Sequence, residues 1–452
     1  MTPSPAIVWF RRDLRLVDNP ALHAGLRNGS LVIPVFIWAP EEEAPWAPGS
    51  ASRWWLHQSL RALRESLRRL GSDLIIRRGS TPEVLLSLTA ESGAKSVYWN
   101  RLYEPCEIAR GREVKQALRE KGIAAESFES HLLFEPGTIL NSSGRPFTVF
   151  TAFWNACQRA PAPPAPLPAA RTIPPPSSWP HSLEISGLGL EPTIDWAAGI
   201  RQTWSPGEPA AGDRLKEFLH SKIENYATER DRPDREGSSR LSPHLHFGEI
   251  SPRQIWHAAQ AAPARTPFLR EIAWREFAHH VLFHFPHTPH EPLRPEFRSF
   301  PWRMDEKALR AWTRGKTGYP LVDAGMRQLW HTGWMHNRVR MVAASFLVKH
   351  LLIPWQEGGA WFWDTLVDAD LANNTLGWQW VAGCGADAAP YFRIFNPALQ
   401  AKKFDPDGAY VRRWIPELAK SPASYPPPIV IHETARKRAL AAFQNLARVN
   451  VS

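Results

Sequence analysis

The sequence predicts an α/β domain, built as a doubly wound parallel sheet, followed by a second domain that is entirely helical. In about the first 130 residues, short apolar runs alternate with amphipathic helical patterns, and this alternation is typical of βαβ units. From about residue 206 the strand patterns disappear, and helical patterns follow one another with short connections. A chain of 452 residues is also too long for one ordinary core, which favours two domains.

The first domain is expected to contain five buried strands with helices between them. Five leucines between positions 56 and 70 recur at spacings of four and three, which places them on one helical face that ends at Gly71. Thr81 followed by Pro82 is typical of a helix start, and a third helix is expected to end at Gly122. The predicted strands are 7–10, 31–38, 73–77, 96–99 and 124–128, and two of the predicted helices are 52–70 and 109–121.

A proline-rich segment separates the two predicted domains. Residues 161–180 contain nine prolines, which exclude a helix or a central strand and predict a linker on the surface. The predicted domains are therefore 1–133 (α/β) and 206–452 (helical), joined by a linker at 134–205. The helices predicted in the second domain are 213–225, 252–260, 267–280, 307–314, 322–331, 337–352 and 359–366.

Composition and motifs exclude several classes of protein. No run approaches the roughly 18 consecutive apolar residues of a membrane span, and no signal-peptide pattern opens the chain, which predicts a cytoplasmic protein without a membrane partner. Three scattered cysteines exclude a disulfide framework, and the first domain has neither a Rossmann GxGxxG nor a P-loop pattern. No metal is expected, because the histidines between 279 and 290 lack the HExxH spacing.

Charge and tryptophan content indicate classes of partner. The formal net charge of +10 favours a polyanion such as nucleic acid, although codon usage in a GC-rich genome explains an arginine excess equally well. The chain has 22 tryptophans, which favour a role in stacking or electron transfer. Composition alone does not decide between these two roles.

The helical half contains groups that core packing does not explain. Residues 237–243 place hydroxyls and backbone amides at a predicted helix start, a pattern that suits an anion but also an ordinary capped helix. The segment 368–374 combines carboxylates with amides, which suits a polar heterocycle and its ribose, or a solvated acidic turn. Glu271 shares a predicted helical face with Phe268 and Trp274, and packing does not account for a carboxylate there.

Six blocks of sequence occur in one order along the chain: VWFRRDLR at 8–15, SRLSP at 239–243, WREF at 274–277, GKTGYP at 315–320, GWMHNR at 333–338 and AAPYFRIFNP at 388–397. Together these blocks resemble the DNA photolyase/cryptochrome family. Two further blocks of the N-terminal half, FIWAPEEE at 36–43 and SRWWL at 52–56, resemble its class III, plant-cryptochrome-related photolyases. The resemblance extends from residue 6 to about 420 and lapses only in the proline-rich segment. It implies an α/β antenna domain and a helical domain that binds FAD.

The resemblance also implies which residues hold FAD. The segment 239–242 would present amides and hydroxyls to the pyrophosphate, and Asp368 would pair with Arg340. Asn374 would face N5 of the flavin, where a neutral amide accepts a hydrogen bond without delivering a proton; this favours reduced FAD (FADH⁻) and a repair enzyme. Plant cryptochromes have aspartate at that position. The implied FAD-binding residues are Tyr226, Ser238, Ser239, Arg240, Leu241, Ser242, Phe268, Arg275, Arg340, Asp368, Asp370 and Asn374.

A pocket for a flipped pyrimidine dimer is implied beside the flavin. Trp274 and Trp380 would form two stacking walls, each worth about 1–3 kcal/mol per base, and Glu271 would hydrogen-bond the lesion. The implied catalytic residues are Glu271, Trp274, Asn337, Met341 and Trp380. The implied DNA contacts are Arg230, Glu271, Trp274, Asn337, Arg338 and Gln400, with Lys402 and Lys403 near them.

Two further features follow from the resemblance. Trp302, Trp355 and Trp378 match the family's electron-transfer chain, for which ordinary core filling is the alternative. Glu107 matches the glutamate that contacts methenyltetrahydrofolate in folate-binding members, while Cys106 replaces a neighbouring asparagine. A folate antenna is therefore expected, with a deazaflavin, another flavin or no antenna as alternatives.

The resemblance implies a monomer that binds UV-damaged DNA and splits cyclobutane pyrimidine dimers by blue-light-driven electron transfer from FADH⁻. One alternative is a cryptochrome-type photoreceptor without repair activity. Another is a basic nucleic-acid-binding module whose flavin is only structural, which predicts no dependence on light.

Overall fold

In the computed structural model, the described residues are 4–27, 31–389, 391–420 and 425–449. Residues 1–3 and 28–30 of the predicted α/β domain lie outside these ranges, as do 421–424 and 450–452 of the predicted helical domain. Pro390, within the sequence block at 388–397, also lies outside them.

The N-terminal domain is a five-stranded sheet in which every pairing is parallel and the strand order is β3-β2-β1-β4-β5. The strand order runs outward from β1 in both directions, first to β2 and β3 and then to β4 and β5, so the sheet is doubly wound, which confirms the predicted fold class. The central strand pairs on both sides, with Trp9 opposite Val35 on one neighbour and Trp99 on the other. The strands are β1 Ala6–Phe10, β2 Val32–Trp38, β3 Ile75–Arg78, β4 Ser96–Asn100 and β5 Ala124–Phe128.

Helices cover both faces of this sheet because alternate side chains of each strand point to opposite sides. Ile7 and Trp9 pack with residues of two helices, α3 and α4, whereas Val8 and Phe10 pack with residues of two others, α1 and α2. The second face also contacts the helical half of the chain, through residues such as Phe247 and Trp334. These helices are α1 Pro20–Gly25, α2 Ser50–Arg69, α3 Thr81–Ser92 and α4 Pro105–Glu120.

The start of α3 differs from the prediction. Its N-cap is Ser80, which makes no side-chain cap hydrogen bond, and Thr81 is the first helical residue. The amide and hydroxyl of Thr81 donate instead to the two carboxylate oxygens of Glu42, at 2.7 and 2.6 Å. Glu42 lies in a short 3₁₀ helix, Pro40–Glu43, so this cap comes from another segment and is not visible in the local sequence.

The remainder of the described chain contains helices and loops but no strand. The second predicted domain is thus helical, as expected, and its core includes Trp312, Phe346 and Trp378. Two helices lie in the predicted linker, α5 Phe150–Arg159 and α6 Ala198–Thr203. The helices of the second predicted domain are α7 Glu208–Ser221, α8 Tyr226–Glu229, α9 Ser242–His246, α10 Pro252–Ala259, α11 Arg265–His284, α12 Glu306–Thr313, α13 Pro320–Thr332, α14 Asn337–Ser345, α15 Trp355–Thr365, α16 Leu371–Ala382, α17 Pro397–Phe404, α18 Ala409–Trp414, α19 Pro416–Lys420 and α20 His432–Val449.

The proline-rich segment 161–180 has neither helix nor strand, as its composition predicts. The segment is attached to the α/β domain by backbone hydrogen bonds. The amide of Ile173 donates to Leu70 O at 3.0 Å, and the amide of Val32 donates to Pro174 O at 3.0 Å. Ile173 is also buried in the core beneath the sheet. The segment is therefore a strap bound to the first domain.

Two predictions in the helical half are wrong in detail. The helix predicted at 337–352 is α14 followed by a turn of π-helix, Phe346–His350. The carboxylates and amides at 368–374 suited either a site for a polar heterocycle or a solvated acidic turn, and helix α16, which begins within that segment, was not predicted. In the structure Asp370 is the N-cap of α16: its Oδ1 accepts from the amide of Asn373 at 2.8 Å.

Candidate functional site

A cavity of about 560 Å³ opens among helices α8, α9, α11, α14, α15 and α16. Its volume falls within the usual range of ligand pockets, about 300–1,000 Å³. It brings together most residues that the sequence predicts for cofactor and lesion binding. These are Tyr226, Ser239, Leu241, Ser242, Phe268, Arg275, Arg340, Asp368, Asp370 and Asn374, together with Glu271, Trp274, Asn337, Met341 and Trp380.

One polar part of the cavity wall is built around Asp368. Its Oδ2 accepts from Arg340 Nη2 at 2.8 Å and from Ser242 Oγ at 2.6 Å. Arg340 is itself fixed, since its Nε donates to Met335 O at 2.7 Å. The other carboxylate oxygen, Asp368 Oδ1, is buried and has no hydrogen bond within the described chain. A ligand donor in the cavity would satisfy it.

Helix α16 brings Asn374, Trp378 and Trp380 to the cavity. The Asn374 Nδ2 donates to Gly359 O of α15 at 3.0 Å, which fixes the plane of the amide. Its Oδ1 is then the acceptor that remains to meet a donor in the cavity. Asp370 caps the start of α16, so one helix positions both this cap and the Asn374 amide.

Asp370 lies in a buried cluster that the sequence did not predict. One ligand atom each of His131, His279 and Asp370 lies within 4.8 Å of the others, and all three residues are buried. Burial alone raises the pKa of the Asp370 carboxyl, but His279, His246 and Arg275 outweigh burial and hold it well below its usual value. Arg275 Nη2 bonds His131 Nε2 at 2.7 Å, which occupies that nitrogen and places a cation beside the cluster. This cation disfavours a metal ion.

The structure places Glu271, which is predicted to hydrogen-bond the lesion, beside a cation. Arg230 Nη1 donates to Glu271 Oε1, and both residues line the cavity. Arg338 is likewise paired, because its Nη2 lies 2.8 Å from Asp231 Oδ1. Both arginines predicted to contact DNA therefore carry a carboxylate partner in this structure.

Several predicted residues lie outside the cavity lining. Ser238 is half-buried and does not line it. The guanidinium of Arg240 lies over the rings of Trp204 and Trp334, at 5.0 and 4.8 Å from their centroids, so its side chain is directed elsewhere. Its φ of 53° is left-handed, a turn that local sequence does not reveal. Gln400 belongs to α17 and is half-buried, while Lys402 and Lys403 of the same helix are exposed.

The three predicted electron-transfer tryptophans lie in or against one core cluster. Trp378 is buried and lines the cavity, Trp355 begins α15, and Trp302 packs at the edge of the cluster. The ring contacts of Trp378 are with Phe362, at 5.0 Å, and Trp312, at 6.2 Å between centroids. Trp312 was not singled out in the sequence, because an isolated indole in a helix has no distinguishing pattern.

A second, smaller cavity of about 50 Å³ contains Glu107. Glu107 accepts from Arg11 Nη1 at 2.8 Å and from Arg110 Nη2. Burial alone raises the pKa of the Glu107 carboxyl, but the charges of Arg110 and Arg11 outweigh it and hold the pKa at about 2. His246 and Ala369 line both cavities, so the two are separated by a single layer of residues.

The larger cavity fits a flavin dinucleotide by its size and by its donor and acceptor groups. Asp368 Oδ1 is buried without a hydrogen-bond partner in the described chain. Arg340 and Ser242 supply donors beside it. The aromatic and aliphatic remainder of the lining, including Phe268 and Leu241, suits the apolar faces of ring systems.

Comparison with known proteins agrees with this fit. Residues 268–425 match the family model for the FAD binding domain of DNA photolyase, and residues 6–171 match the model for DNA photolyase. The chain is 47% identical to the deoxyribodipyrimidine photo-lyase of Agrobacterium fabrum over 97% of this chain and 98% of that protein. It is 43% identical to cryptochrome-2 of Arabidopsis thaliana, over 93% of this chain and 71% of that protein.

Solved structures are similar over nearly the whole chain. A bacterial class III photolyase from Agrobacterium tumefaciens has a TM-score of 0.95 at 46% identity, covering 99% of this chain and 98% of that one. An archaeal photolyase from Sulfolobus tokodaii with two FAD molecules has a TM-score of 0.86 at 31% identity, covering 98% of this chain and all of that one. No helix in the described residues is long and apolar enough to cross a membrane.

Proposed function

The chain belongs to the DNA photolyase family, and we propose that it is a deoxyribodipyrimidine photo-lyase that binds FAD and splits cyclobutane pyrimidine dimers in UV-damaged DNA under blue light. The observation that carries this proposal is the shared cavity. Residues suited to the flavin, such as Asn374 and Asp368, line the same 560 Å³ space as Trp274, Trp380 and Glu271. A dimer between the two indoles would therefore lie beside the cofactor.

Reduced FAD, when bound in this cavity, would supply a light-excited electron to the lesion. The chain's own residues bind and orient. Asp368 and Arg340 anchor the polar edge of the cofactor site, and the Asn374 amide presents an acceptor without a transferable proton. Trp274 and Trp380 offer stacking faces to the two joined bases, and Glu271 offers a carboxylate to their hydrogen-bonding edges. Splitting the dimer would break two C–C bonds of the ring with no net redox change, because the electron lent by the cofactor would be recovered.

Repair by the purified holoprotein tests the function. A duplex oligonucleotide with one thymine dimer is incubated with the protein, in blue light and in the dark, after chemical reduction of the flavin. The expected result is light-dependent conversion of the dimer to two thymines. A protein that absorbs blue light and shows no lit repair would be a photoreceptor, and equal affinity for damaged and undamaged DNA would indicate a general nucleic-acid-binding module.

We also propose that the smaller cavity binds methenyltetrahydrofolate as an antenna. Glu107 supports this, together with the indole walls of Trp9 and Trp38 and the cations of Arg11 and Arg110. The free volume is about 50 Å³, so binding requires the side chains of the wall to move apart. Chromophores released by acid from the purified protein are separated and identified by absorption. A pterin in the wild type and its loss in Glu107→Gln, with Glu126→Gln on the exposed edge strand as control, are expected; a flavin or deazaflavin would refute the folate.

A further inference from the structure

One face of the Trp274 indole is covered by an aromatic ring from another helix. Phe150, the first residue of α5, stacks on the indole of Trp274 with centroids 3.8 Å apart and planes 9° apart. Phe150 is buried, whereas Trp274 lines the cavity and is half-buried. Phe150 therefore covers one face of the indole, which leaves the opposite face for a base.

The position of Phe150 depends on Asp387, which lies in the loop after α16. The backbone amide of Phe150 donates to Asp387 Oδ1 at 3.0 Å, and the amide of Asp387 donates in return to Thr148 O at 2.8 Å. The N-cap of α5 is Val149, whose side chain cannot accept a hydrogen bond. Asp387 thus supplies from a distant segment the acceptor that the start of α5 lacks.

The same residue also holds the second indole. Trp380 Nε1 donates to Asp387 O at 3.1 Å, and Asp387 itself lines the cavity. Its φ of 52° is in the left-handed region, which is unfavourable for a residue with a Cβ and persists only where the surroundings enforce it. One residue therefore fixes Trp380 through its carbonyl and Trp274 through Phe150.

We propose that Asp387 is a positioning residue for the flipped dimer, which sets the placement of Trp274 relative to Trp380 so that both joined pyrimidines are stacked at once. The inference rests on the proposed function, since it assigns the two indoles to lesion binding. It predicts that Asp387 governs discrimination between damaged and undamaged DNA, while leaving the phosphate contacts and the flavin untouched.

The test measures, for each variant holoprotein in the dark, the ratio of dissociation constants for undamaged and thymine-dimer duplexes of the same sequence. Asp387→Ala is expected to lower this ratio about tenfold by weakening lesion binding alone, because it leaves the amide of Phe150 without its partner. Asp387→Asn retains an Oδ1 acceptor and is expected to restore most of the ratio. The flavin absorption spectrum is expected to stay that of the wild type in both variants.

Asp305→Ala is the matched control. Asp305 caps α12 by accepting from the amide of Ala308 at 2.9 Å, so its loss removes a helix cap that does not line the cavity. It is expected to keep the wild-type ratio. If Asp387→Ala fails to fold, Phe150→Leu removes the backing ring with Asp387 intact and is expected to lower the ratio by a similar factor.

The outcomes separate the two proposals. A wild-type ratio near one would overturn the proposed function and this inference with it. A wild-type ratio well above one that persists in Asp387→Ala, or in Phe150→Leu if that variant replaces it, would overturn this inference alone. Equal losses in Asp387→Ala and Asp305→Ala would also overturn it, because they would show a general effect of losing a helix cap.

Discussion

Arg230 donates to the carboxylate of Glu271 in the wall of the larger cavity, although 41 positions separate the two residues in the sequence. The pair joins α11 to the C-terminal end of α8. It neutralises a cation that would otherwise be available to a phosphate, and it orients the carboxylate that the lesion would meet. The two charges therefore act as one unit at this site.

Removing the Glu271 carboxylate should weaken recognition of the lesion and strengthen general affinity for DNA. In Glu271→Gln we expect Arg230 to become available for a phosphate, so that the slope of log K against log salt for undamaged duplex becomes steeper by about 0.9. Binding of the dimer duplex should weaken relative to undamaged duplex. Fluorescence anisotropy over a salt series measures both. Glu217→Gln, which disrupts the Lys222 pair on α7, is the control and should change neither; an unchanged slope in Glu271→Gln would contradict the prediction.

The Asp368 carboxylate should control retention of the cofactor. Asp368→Asn weakens two charge-assisted contacts, from Arg340 and from the Ser242 hydroxyl, at a buried position. We expect FAD to dissociate about tenfold or more readily, as for other hydrogen bonds to charged groups. The fluorescence of released flavin during dilution measures this. Asp195→Asn, at the exposed pair with Arg201, should retain FAD as the wild type does.

Trp378 and Trp312 should differ in photoreduction. Trp378 lines the cavity, whereas Trp312 lies behind it at 6.2 Å between centroids. If Trp378 is the first electron donor, Trp378→Phe should lose most light-driven reduction of oxidised flavin with an external thiol present, and Trp312→Phe should retain it. Repair by chemically reduced enzyme should persist in both. Absorbance at the oxidised flavin band follows the reaction, and equal rates in the two variants would refute the assignment.

Glu276 should make stability depend on pH in a defined window. Burial raises the pKa of its carboxyl from the usual 4.5 to about 7, although the carboxylate accepts hydrogen bonds from the amides of Leu133 and Phe134. The folded state therefore binds a proton more tightly than the unfolded state. Its contribution to stability is present below about pH 4.5 and is lost as pH rises to about 7, by up to about 3 kcal/mol.

The measurement is the unfolding free energy of wild type and Glu276→Gln at pH 5 and pH 7.5. Other groups also contribute to the pH dependence in this range, including His280, whose pKa burial lowers to about 3 in the folded state, so that it takes up a proton near pH 6.5 only when the chain unfolds. The difference between the two proteins removes their contribution. We expect the wild type to lose stability relative to Glu276→Gln as pH rises, and a difference that is independent of pH would contradict the role of burial.

Local periodicity was enough to predict the sheet and many of the amphipathic helices, because each pattern is contained within the element itself, but helices such as α5 and α20 were not predicted. Helix α16 was missed because its apolar residues are spread around the helix instead of forming one stripe, although Asp370 followed by Asn373 is a cap pattern that could have indicated its start. The family resemblance supplied residues that line the cavity and the pairing of Asp368 with Arg340, but not their other partners. The pairing of Arg230 with Glu271 and the stack of Phe150 on Trp274 join distant segments, and only the folded chain shows them.

The wall that separates the two cavities has a spectroscopic consequence. The rate of dipolar energy transfer between two pigments falls with the sixth power of their distance, and His246 and Ala369 line both spaces. Two pigments seated in these spaces would therefore be close enough to exchange excitation. The emission of the donor pigment would then be quenched in the intact protein and would return upon unfolding. Donor fluorescence would therefore report whether the domain interface is intact.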